Sequence, residues 1–248
     1  MSYPPVTPLQ TTDKITSLLT RLHAQSSTQE SGISSSEIGE IRRQAATDPK
    51  QGYLALDALM LDKFIALDQD KCLFMYNLLL SLDATTVVEA GTSFGVSTIY
   101  LALAVARNVE ARKARGDLNV TGRVIGTEKE DSKAAIARRY WAEAGPEVEK
   151  YIELKVGDLN ETLAGDLGLR DGQKIDFLLL DIWPHVALPA LNHILPRLRP
   201  GAVVLTDNTI SSVDRYGDLL KVLRNPDGPF RSVTLPYSGG FEFSVYNP

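Results

Sequence analysis

The feature that most constrains the fold is an alternation of short apolar runs with longer segments of helical periodicity, which begins at residue 86. The predicted strands cover residues 86–90, 122–128, 152–156, 175–181 and 202–206, and the predicted helices between them cover 97–107, 131–144, 159–167 and 186–198, the last ended by Pro200-Gly201. Such alternation predicts parallel βαβ units. The apolar strand centres predict a sheet that is covered on both faces.

The segments on either side of this series complete the predicted architecture. Two late strands, 232–235 and 242–246, flank a turn with Gly239-Gly240 and predict an antiparallel hairpin. Upstream, a loose arm (1–12) precedes a helix at 13–24 with Asp13 as N-cap, a Ser-rich linker (25–36), a helix at 36–46 and two helices within 54–82. The prediction is therefore an α/β fold with a doubly wound, mostly parallel seven-stranded sheet and extra N-terminal helices.

Composition excludes several classes of function. The chain has 248 residues and a net charge of −5, without the basic stripe that nucleic-acid binding requires. Its apolar runs are too short to span a membrane, and the first residues do not resemble a signal peptide. Cys72 is the single cysteine, which fits a reducing compartment. We therefore expect a cytoplasmic protein that binds neither nucleic acid nor membranes.

The first strand leads into a glycine-containing turn, Glu89-Ala90-Gly91-Thr92-Ser93-Phe94-Gly95. Glycine allows a ligand to approach the backbone closely at the carboxyl end of a strand. Many βα turns use glycine for packing alone, so this turn has two interpretations when it is read by itself.

Acidic residues follow two further strands. Glu128 ends the second strand, where a carboxylate can accept hydrogen bonds from two ribose hydroxyls; alternatively, it caps the next helix. Asp158 follows the third strand, where it can accept from an exocyclic amine such as that of adenine. An N-cap role for Asp158 is compatible with that interpretation.

Asp181, Asp207 and Asn208 follow the fourth and fifth strands. Because ligands of open parallel sheets sit outside the carboxyl ends of the strands, these side chains are expected to converge. Two carboxylates and an amide oxygen suit a hard divalent cation such as Mg²⁺. The alternative is that Asp207-Asn208 form an Asx-type turn without metal.

Taken together, these motifs resemble the Rossmann-like class I S-adenosylmethionine-dependent methyltransferases, in particular the catechol and caffeoyl-CoA O-methyltransferase group and its small bacterial and fungal relatives. The resemblance covers residues 67–208 and extends plausibly to residue 246. It implies a cofactor-binding domain at 67–248, while residues 1–66 form a substrate lid or a dimer contact. The small-molecule acceptor is expected to be aromatic or polyketide-like.

The resemblance also implies site residues. S-adenosylmethionine would be held at its amino group by Glu89, along its length by Gly91 and Thr92, at its carboxylate by Ser97, at the ribose by Glu128 and at adenine by Asp158, with a backbone group of Leu67 and the ring of Trp183 beside it. Mg²⁺ would be held by Asp181, Asp207 and Asn208.

The sequence departs from the resemblance at Pro184, where the catechol-type enzymes have a lysine that acts as general base. Proline cannot accept a proton, so His185 and Asp181 become the candidate catalytic groups. His185 has a second interpretation as a surface histidine at a helix N-terminus. The leading hypothesis is an Mg²⁺-assisted O-methyltransferase. The alternatives are N- or C-methylation, a reaction without methyl transfer, and a binding protein that does not catalyse.

Overall fold

The computed structural model describes residues 7–248, with backbone only at Ser35, Arg42, Tyr53 and Asp57. Residues 1–6 of the predicted N-terminal arm lie outside the described residues. The seven strands are β1 (Thr86–Ala90), β2 (Arg123–Glu128), β3 (Ile152–Val156), β4 (Ile175–Leu180), β5 (Leu198–Asp207), β6 (Phe230–Leu235) and β7 (Phe241–Tyr246).

The strands form one sheet in the order β3-β2-β1-β4-β5-β7-β6. The first five strands pair in parallel, and β7 pairs antiparallel with both β5 and β6. This topology confirms the predicted doubly wound sheet and its antiparallel C-terminal hairpin.

Helices cover both faces of the sheet. They are α1 (Asp13–Ser31), α2 (Ser35–Thr47), α3 (Pro49–Met60), α4 (Gln69–Ser81), α5 (Val96–Ala114), α6 (Asp131–Ala144), α7 (Pro146–Glu149), α8 (Leu159–Ala164), α9 (Pro184–Ile194), which continues into a 3₁₀ turn (Leu195–Arg197), and α10 (Gly217–Leu223). No helix in the described part of the chain is both long and apolar enough to cross a membrane.

The central strands supply two apolar cores because consecutive side chains point to opposite faces. Val87 and Phe177 enter the core that α1, α4 and α5 cover, whereas Val88 and Leu178 enter the core beneath α9 and α10. All four are fully buried, and each such side chain contributes about 1.5–3 kcal/mol to folding. This two-sided burial explains why the strands are apolar throughout.

The register of the sheet brings the strand ends to one edge. Ala90 pairs with both Thr127 and Leu180, and Leu180 pairs with Thr206. The residues that follow these positions therefore emerge side by side, which is the condition for a shared site.

Three details differ from the sequence-based expectations. The predicted linker at 25–36 is largely helical, because α1 runs to Ser31. Thr12, not Asp13, is the N-cap of α1, and its hydroxyl accepts from the Ile15 N–H. Pro200-Gly201 lies inside β5 instead of ending a helix, since that strand begins at Leu198.

Helix α1 packs into the main core of the sheet. A role of residues 1–66 as a substrate lid or a dimer contact stays a prediction.

Candidate cofactor and active site

The turn after β1 is tightly packed against its neighbours. Gly91 has φ +92°, and a Cβ there would lie 2.1 Å from the carbonyl oxygen of Asp181. Gly95 has φ +77°, and a Cβ there would lie 2.5 Å from Nε1 of Trp141. Both glycines are needed for backbone conformation and for space. At Gly91 this close approach joins the β1 turn directly to the end of β4.

Glu89 is the fully buried centre of a hydroxyl cluster. Its Oε1 accepts from Ser97 Oγ at 2.5 Å, and its Oε2 accepts from Thr98 Oγ1 at 2.5 Å and from Thr92 Oγ1 at 2.9 Å. Burial raises the pKa of Glu89, and these hydrogen bonds oppose the rise. Glu89 therefore orients the hydroxyls that surround it.

A small cavity opens beside this cluster at the strand-end edge. It is lined by the segment 65–67, by the β1 turn and α5 start, and by the end of β4: Ile65, Ala66, Leu67, Gly91, Thr92, Ser93, Phe94, Val96, Ser97 and Asp181. Five residues predicted to meet the cofactor thus surround one space: Leu67, Gly91, Thr92, Ser97 and Asp181. Glu89 lies behind this wall and reaches it through the hydroxyls of Thr92 and Ser97.

The segment 65–67, which forms one wall, is held through Ala66 and the preceding Phe64 by the C-terminal half of α1. Ser26 Oγ accepts from the Ala66 N–H at 2.8 Å, and Gln29 Oε1 accepts from the Phe64 N–H at 2.8 Å. The polar side chains that suggested a linker therefore satisfy the backbone of a segment without regular secondary structure.

The other predicted cofactor residues lie around the same edge. The carboxylate of Glu128 accepts from the Ser93 N–H at 2.7 Å and from the Glu130 N–H at 2.8 Å. Asp158 is exposed and caps α8, accepting from the Asn160 N–H at 2.7 Å. The capping interpretation is therefore seen for Asp158, whereas α6 has no side-chain cap and Glu128 instead binds the backbone of the β1 turn and of Glu130. Trp183 is half-buried directly before α9, and His185 is exposed in the first turn of that helix.

The expected metal ligands have a different set of partners. Lys71 Nζ lies 2.7 Å from Asp207 Oδ1 and 2.9 Å from Asp68 Oδ2. Asp207 Oδ2 accepts from Asn208 Nδ2 at 2.9 Å, while Asn208 Oδ1 accepts from Ser211 Oγ. Asn208 has φ +61° and is exposed. Both oxygens of Asp207 are thus engaged by nitrogen donors.

This arrangement does not fit the Mg²⁺ site expected at Asp181, Asp207 and Asn208. An ammonium occupies one oxygen of Asp207, and Asn208 directs its nitrogen, which is not a ligand for a hard cation, toward the other. Within residues 7–248, no group of three or more His, Cys, Asp or Glu side chains is arranged to hold a metal ion. The turn alternative for Asp207-Asn208 describes this segment better.

The carboxyl groups of Asp181 and Asp207 differ in how strongly Lys71 opposes the rise of their pKa values. Burial, followed by the negative charges of Asp207 and Glu89, raises the pKa of Asp181 well above its usual range. Burial also raises the pKa of Asp207, but the charge and hydrogen bond of Lys71 oppose it directly. For Lys71, burial favours the neutral form, and the carboxylates of Asp207 and Asp68 outweigh that effect and raise its pKa. The pKa of Asp181 is therefore raised further than that of Asp207, because only Asp207 has Lys71 as a hydrogen-bond partner.

Sequence reasoning missed Lys71 and Tyr216. Tyr216 is buried and donates to the Ile182 carbonyl oxygen at 3.0 Å, which supports the turn after β4. The signal for Lys71 was its spacing: with Met75 and Leu79 it forms an i, i+4, i+8 row, so the charge falls on the buried face of α4. Tyr216 had no comparable signal.

The fold and the glycine-containing cavity at the strand ends define a Rossmann-like methyltransferase. Residues 88–209, about half of the chain, match the family model described as a methyltransferase domain. These residues form a methyltransferase domain, which confirms the methyltransferase prediction made from the motifs. No curated protein sequence matches it.

Solved structures share this fold at low sequence identity. An O-methyltransferase from Bacillus cereus in complex with SAH has a TM-score of 0.61 at 18% identity, covering 91% of this chain and 100% of its own. The O-methyltransferase TomG from Streptomyces achromogenes, in complex with SAM, has a TM-score of 0.58 at 23% identity, covering 74% and 82%. A methyltransferase from Geobacter sulfurreducens has a TM-score of 0.57 at 18% identity, covering 79% and 89%.

Proposed function

We propose that this methyltransferase transfers a methyl group to a hydroxyl oxygen of a small aromatic or polyketide-like molecule. The observation that carries the proposal is the cavity in which Asp181 faces the β1 turn, because it sets a carboxyl group next to the expected cofactor position. The solved structures described as O-methyltransferases, two of them holding SAM or SAH, support oxygen as the acceptor atom.

The cofactor would be held at the strand-end edge by this chain's own groups. Ser97 and Thr92, oriented by Glu89, would bind the methionine part, and Gly91 and the Leu67 backbone would pack against it. When it is bound, S-adenosylmethionine supplies an electrophilic methyl group.

The remainder of the cofactor would extend along the neighbouring strand ends. Glu128 keeps acceptor capacity for ribose hydroxyls beyond its two backbone bonds. Asp158 is exposed at the end of β3 and would face adenine, and Trp183 would pack beside it. These assignments rest on the resemblance and on the shared edge.

Asp181 is the preferred proton acceptor for the substrate hydroxyl, because it lines the cavity whereas His185 lies exposed at the start of α9. The high pKa of Asp181 favours its protonated form in the empty site. With a cation bound beside it, Asp181 would have a lower pKa and would be ionised more readily, so its carboxylate could take the proton.

The preference for an aromatic acceptor rests on a ring cluster beside Lys71. Phe74 packs against Tyr237 and Phe241 with ring centroids 5.8 and 6.4 Å apart, and Tyr237 packs on Phe241 at 6.0 Å. Phe241 is fully buried, so it belongs to the core, whereas Tyr237 is only half-buried. Phe74 is half-buried as well, so Tyr237 and Phe74 are the members of this cluster that can meet a planar substrate.

The proposal leaves out the Mg²⁺ that the resemblance implies, because Lys71 and Asn208 already engage Asp207. A cytoplasmic location remains part of the proposal, supported by the single, buried thiol of Cys72. The expected homodimer and the absence of nucleic-acid partners stay predictions.

The test has two stages. Calorimetric titration with S-adenosylmethionine and S-adenosylhomocysteine is expected to give one site per chain. Incubation with methyl-labelled cofactor and a panel of catechols and phenols, with matched anilines and methyl ethers as controls, is expected to label only acceptors with a free hydroxyl. Labelling of the anilines alone, or cofactor loss without a mass increase of one CH₂ group on any acceptor, would exclude oxygen methylation.

A further inference from the structure

We propose that Lys71 is a built-in cation that stands where the related enzymes would use a divalent metal, so that this enzyme works without one. The inference rests on the proposed function, since it concerns the active edge of the same site. It assigns Lys71 as a positioning residue.

The first support is the geometry around Asp207. The Lys71 ammonium contacts Asp207 Oδ1 at 2.7 Å, and the side chains of Lys71 and Asp207 are 2% and 8% exposed. The second oxygen of Asp207 accepts from Asn208 Nδ2. A divalent ion at this carboxylate would compete with both nitrogen donors for the carboxylate oxygens, and the ammonium, 2.7 Å from Oδ1, would repel it.

The second support is the balance of charge. Asp68, Asp181 and Glu89 lie close enough to Asp207 to interact with it or with each other electrostatically. Among these acids, Lys71 supplies the compensating positive charge through its contacts with Asp207 and Asp68, which is the contribution a metal ion would otherwise make.

The third support is the position of the ion pair in the chain. Lys71 also contacts Asp68 Oδ2 at 2.9 Å, and Asp68 directly follows Leu67 at the cavity wall. One ammonium therefore connects the wall before α4 to the end of β5. Like a metal, it holds two parts of the site together, but it is supplied by the chain.

The experiment is a titration of the full chain with Mn²⁺, followed by electron paramagnetic resonance of the free ion. Wild type is expected to leave the Mn²⁺ signal unchanged, and chelators are expected to leave cofactor binding unchanged. The Lys71→Ala variant keeps the acids and removes the ammonium, so it should bind Mn²⁺ about tenfold or more tightly than wild type. Adding Asp207→Asn should abolish that gain, and Lys71→Arg should behave as wild type.

Two results would overturn the inference. One is stoichiometric Mn²⁺ binding by wild type that is lost in Asp207→Asn. The other is a folded Lys71→Ala variant that binds Mn²⁺ no better than wild type. If Lys71→Ala is too unstable for titration, its melting temperature is measured instead: Mn²⁺ should raise it while leaving that of wild type unchanged, and an equal response of both proteins contradicts the inference.

These readouts need no methyl acceptor. Failure of the proposed function would appear as missing cofactor binding or missing oxygen methylation, while the Mn²⁺ results would be unaffected. The two failures are therefore distinguishable.

Discussion

The ammonium of Lys71 and the carboxylate of Asp207 meet at 2.7 Å although 136 positions separate them in the sequence. Both side chains are buried, and breaking such a pair by removing one partner leaves an uncompensated charge. The Lys71→Met variant should therefore lose about 3–5 kcal/mol of unfolding free energy, measured by urea denaturation. Adding Asp207→Asn should recover part of the loss, and a double variant no more stable than Lys71→Met would contradict this account.

Gly91→Ala should lower stability and cofactor binding by more than the positive φ of Gly91 alone would cause. Gly116 is a matched control, because its φ of +97° is close to the +92° of Gly91 but nothing lies within 4 Å of its Cβ position. Gly116→Ala should cost about 1–2 kcal/mol from left-handed strain. Gly91→Ala adds the 2.1 Å clash with the Asp181 carbonyl, so it should cost more and abolish S-adenosylhomocysteine binding in calorimetry. Equal effects of the two variants would refute this role.

Variants of Ser97 and Thr98 can distinguish contact with the ligand from support of the Glu89 carboxylate. Each hydroxyl donates to Glu89 at 2.5 Å, but only Ser97 lines the cavity. Ser97→Ala and Thr98→Val should each cost about 1–3 kcal/mol of stability, since each removes a bond to a buried carboxylate. Ser97→Ala should weaken S-adenosylhomocysteine binding by a further factor of about ten, corresponding to one lost hydrogen bond. Equal affinities in the two variants would show that Ser97 does not touch the ligand.

Binding of S-adenosylmethionine should release protons. Burial, Asp207 and Glu89 raise the pKa of Asp181, so this group is protonated in the empty site to a larger extent than an ordinary aspartate. A sulfonium ion lowers that pKa and expels the proton. Affinity should therefore increase with pH. Calorimetry in buffers of different ionisation enthalpy measures the release.

S-adenosylhomocysteine is the internal control, because it lacks the sulfonium charge and should release fewer protons. Asp181→Asn should remove the difference between the two ligands. It should also lower turnover by about 10²–10⁴-fold if Asp181 is the proton acceptor. A comparable loss in His185→Gln, with Asp181→Asn still active, would transfer that role to His185.

His23 should make stability depend on pH. Its Nε2 lies 2.9 Å from the hydroxyl of Tyr100, and burial lowers the pKa of His23 below its ordinary 6.5, with Asp68 opposing the shift. The unfolded chain then binds more protons than the folded one between the lowered pKa and 6.5. The contribution of His23 is complete above pH 6.5 and declines as the pH falls below it. His23→Gln should flatten this part of the curve of unfolding free energy against pH, and an unchanged slope would contradict the assignment.

The sheet was predictable because its central parallel strands, such as β1 and β4, are buried on both faces and have apolar centres. β1 and β3 were predicted to the residue, and the site residues followed from where the strands end. Errors arose where tertiary contacts override local signals. Pro200-Gly201 is tolerated within β5 because the strand pairing is irregular there, and the register shifts between Ile175 and Phe177.

The metal site could not be judged from sequence. Asp181, Asp207 and Asn208 have the right residue types at the right strand ends. The deciding partner, Lys71, lies on a helix more than a hundred residues upstream, and its charge resembles an ordinary surface charge in a helical segment. Only the packing of α4 on the end of β5 reveals that Asp207 is already neutralised.

Ser26 and Gln29 give the N-terminal helix a part in ligand affinity. They hold the segment that supplies Ala66 and Leu67 to the cavity, so undocking of α1 would open the pocket. A ligand that binds only the docked form stabilises it by mass action. Cofactor occupancy and protection of α1 amides from hydrogen exchange should therefore rise together, which would make this helix a sensor of the cofactor supply.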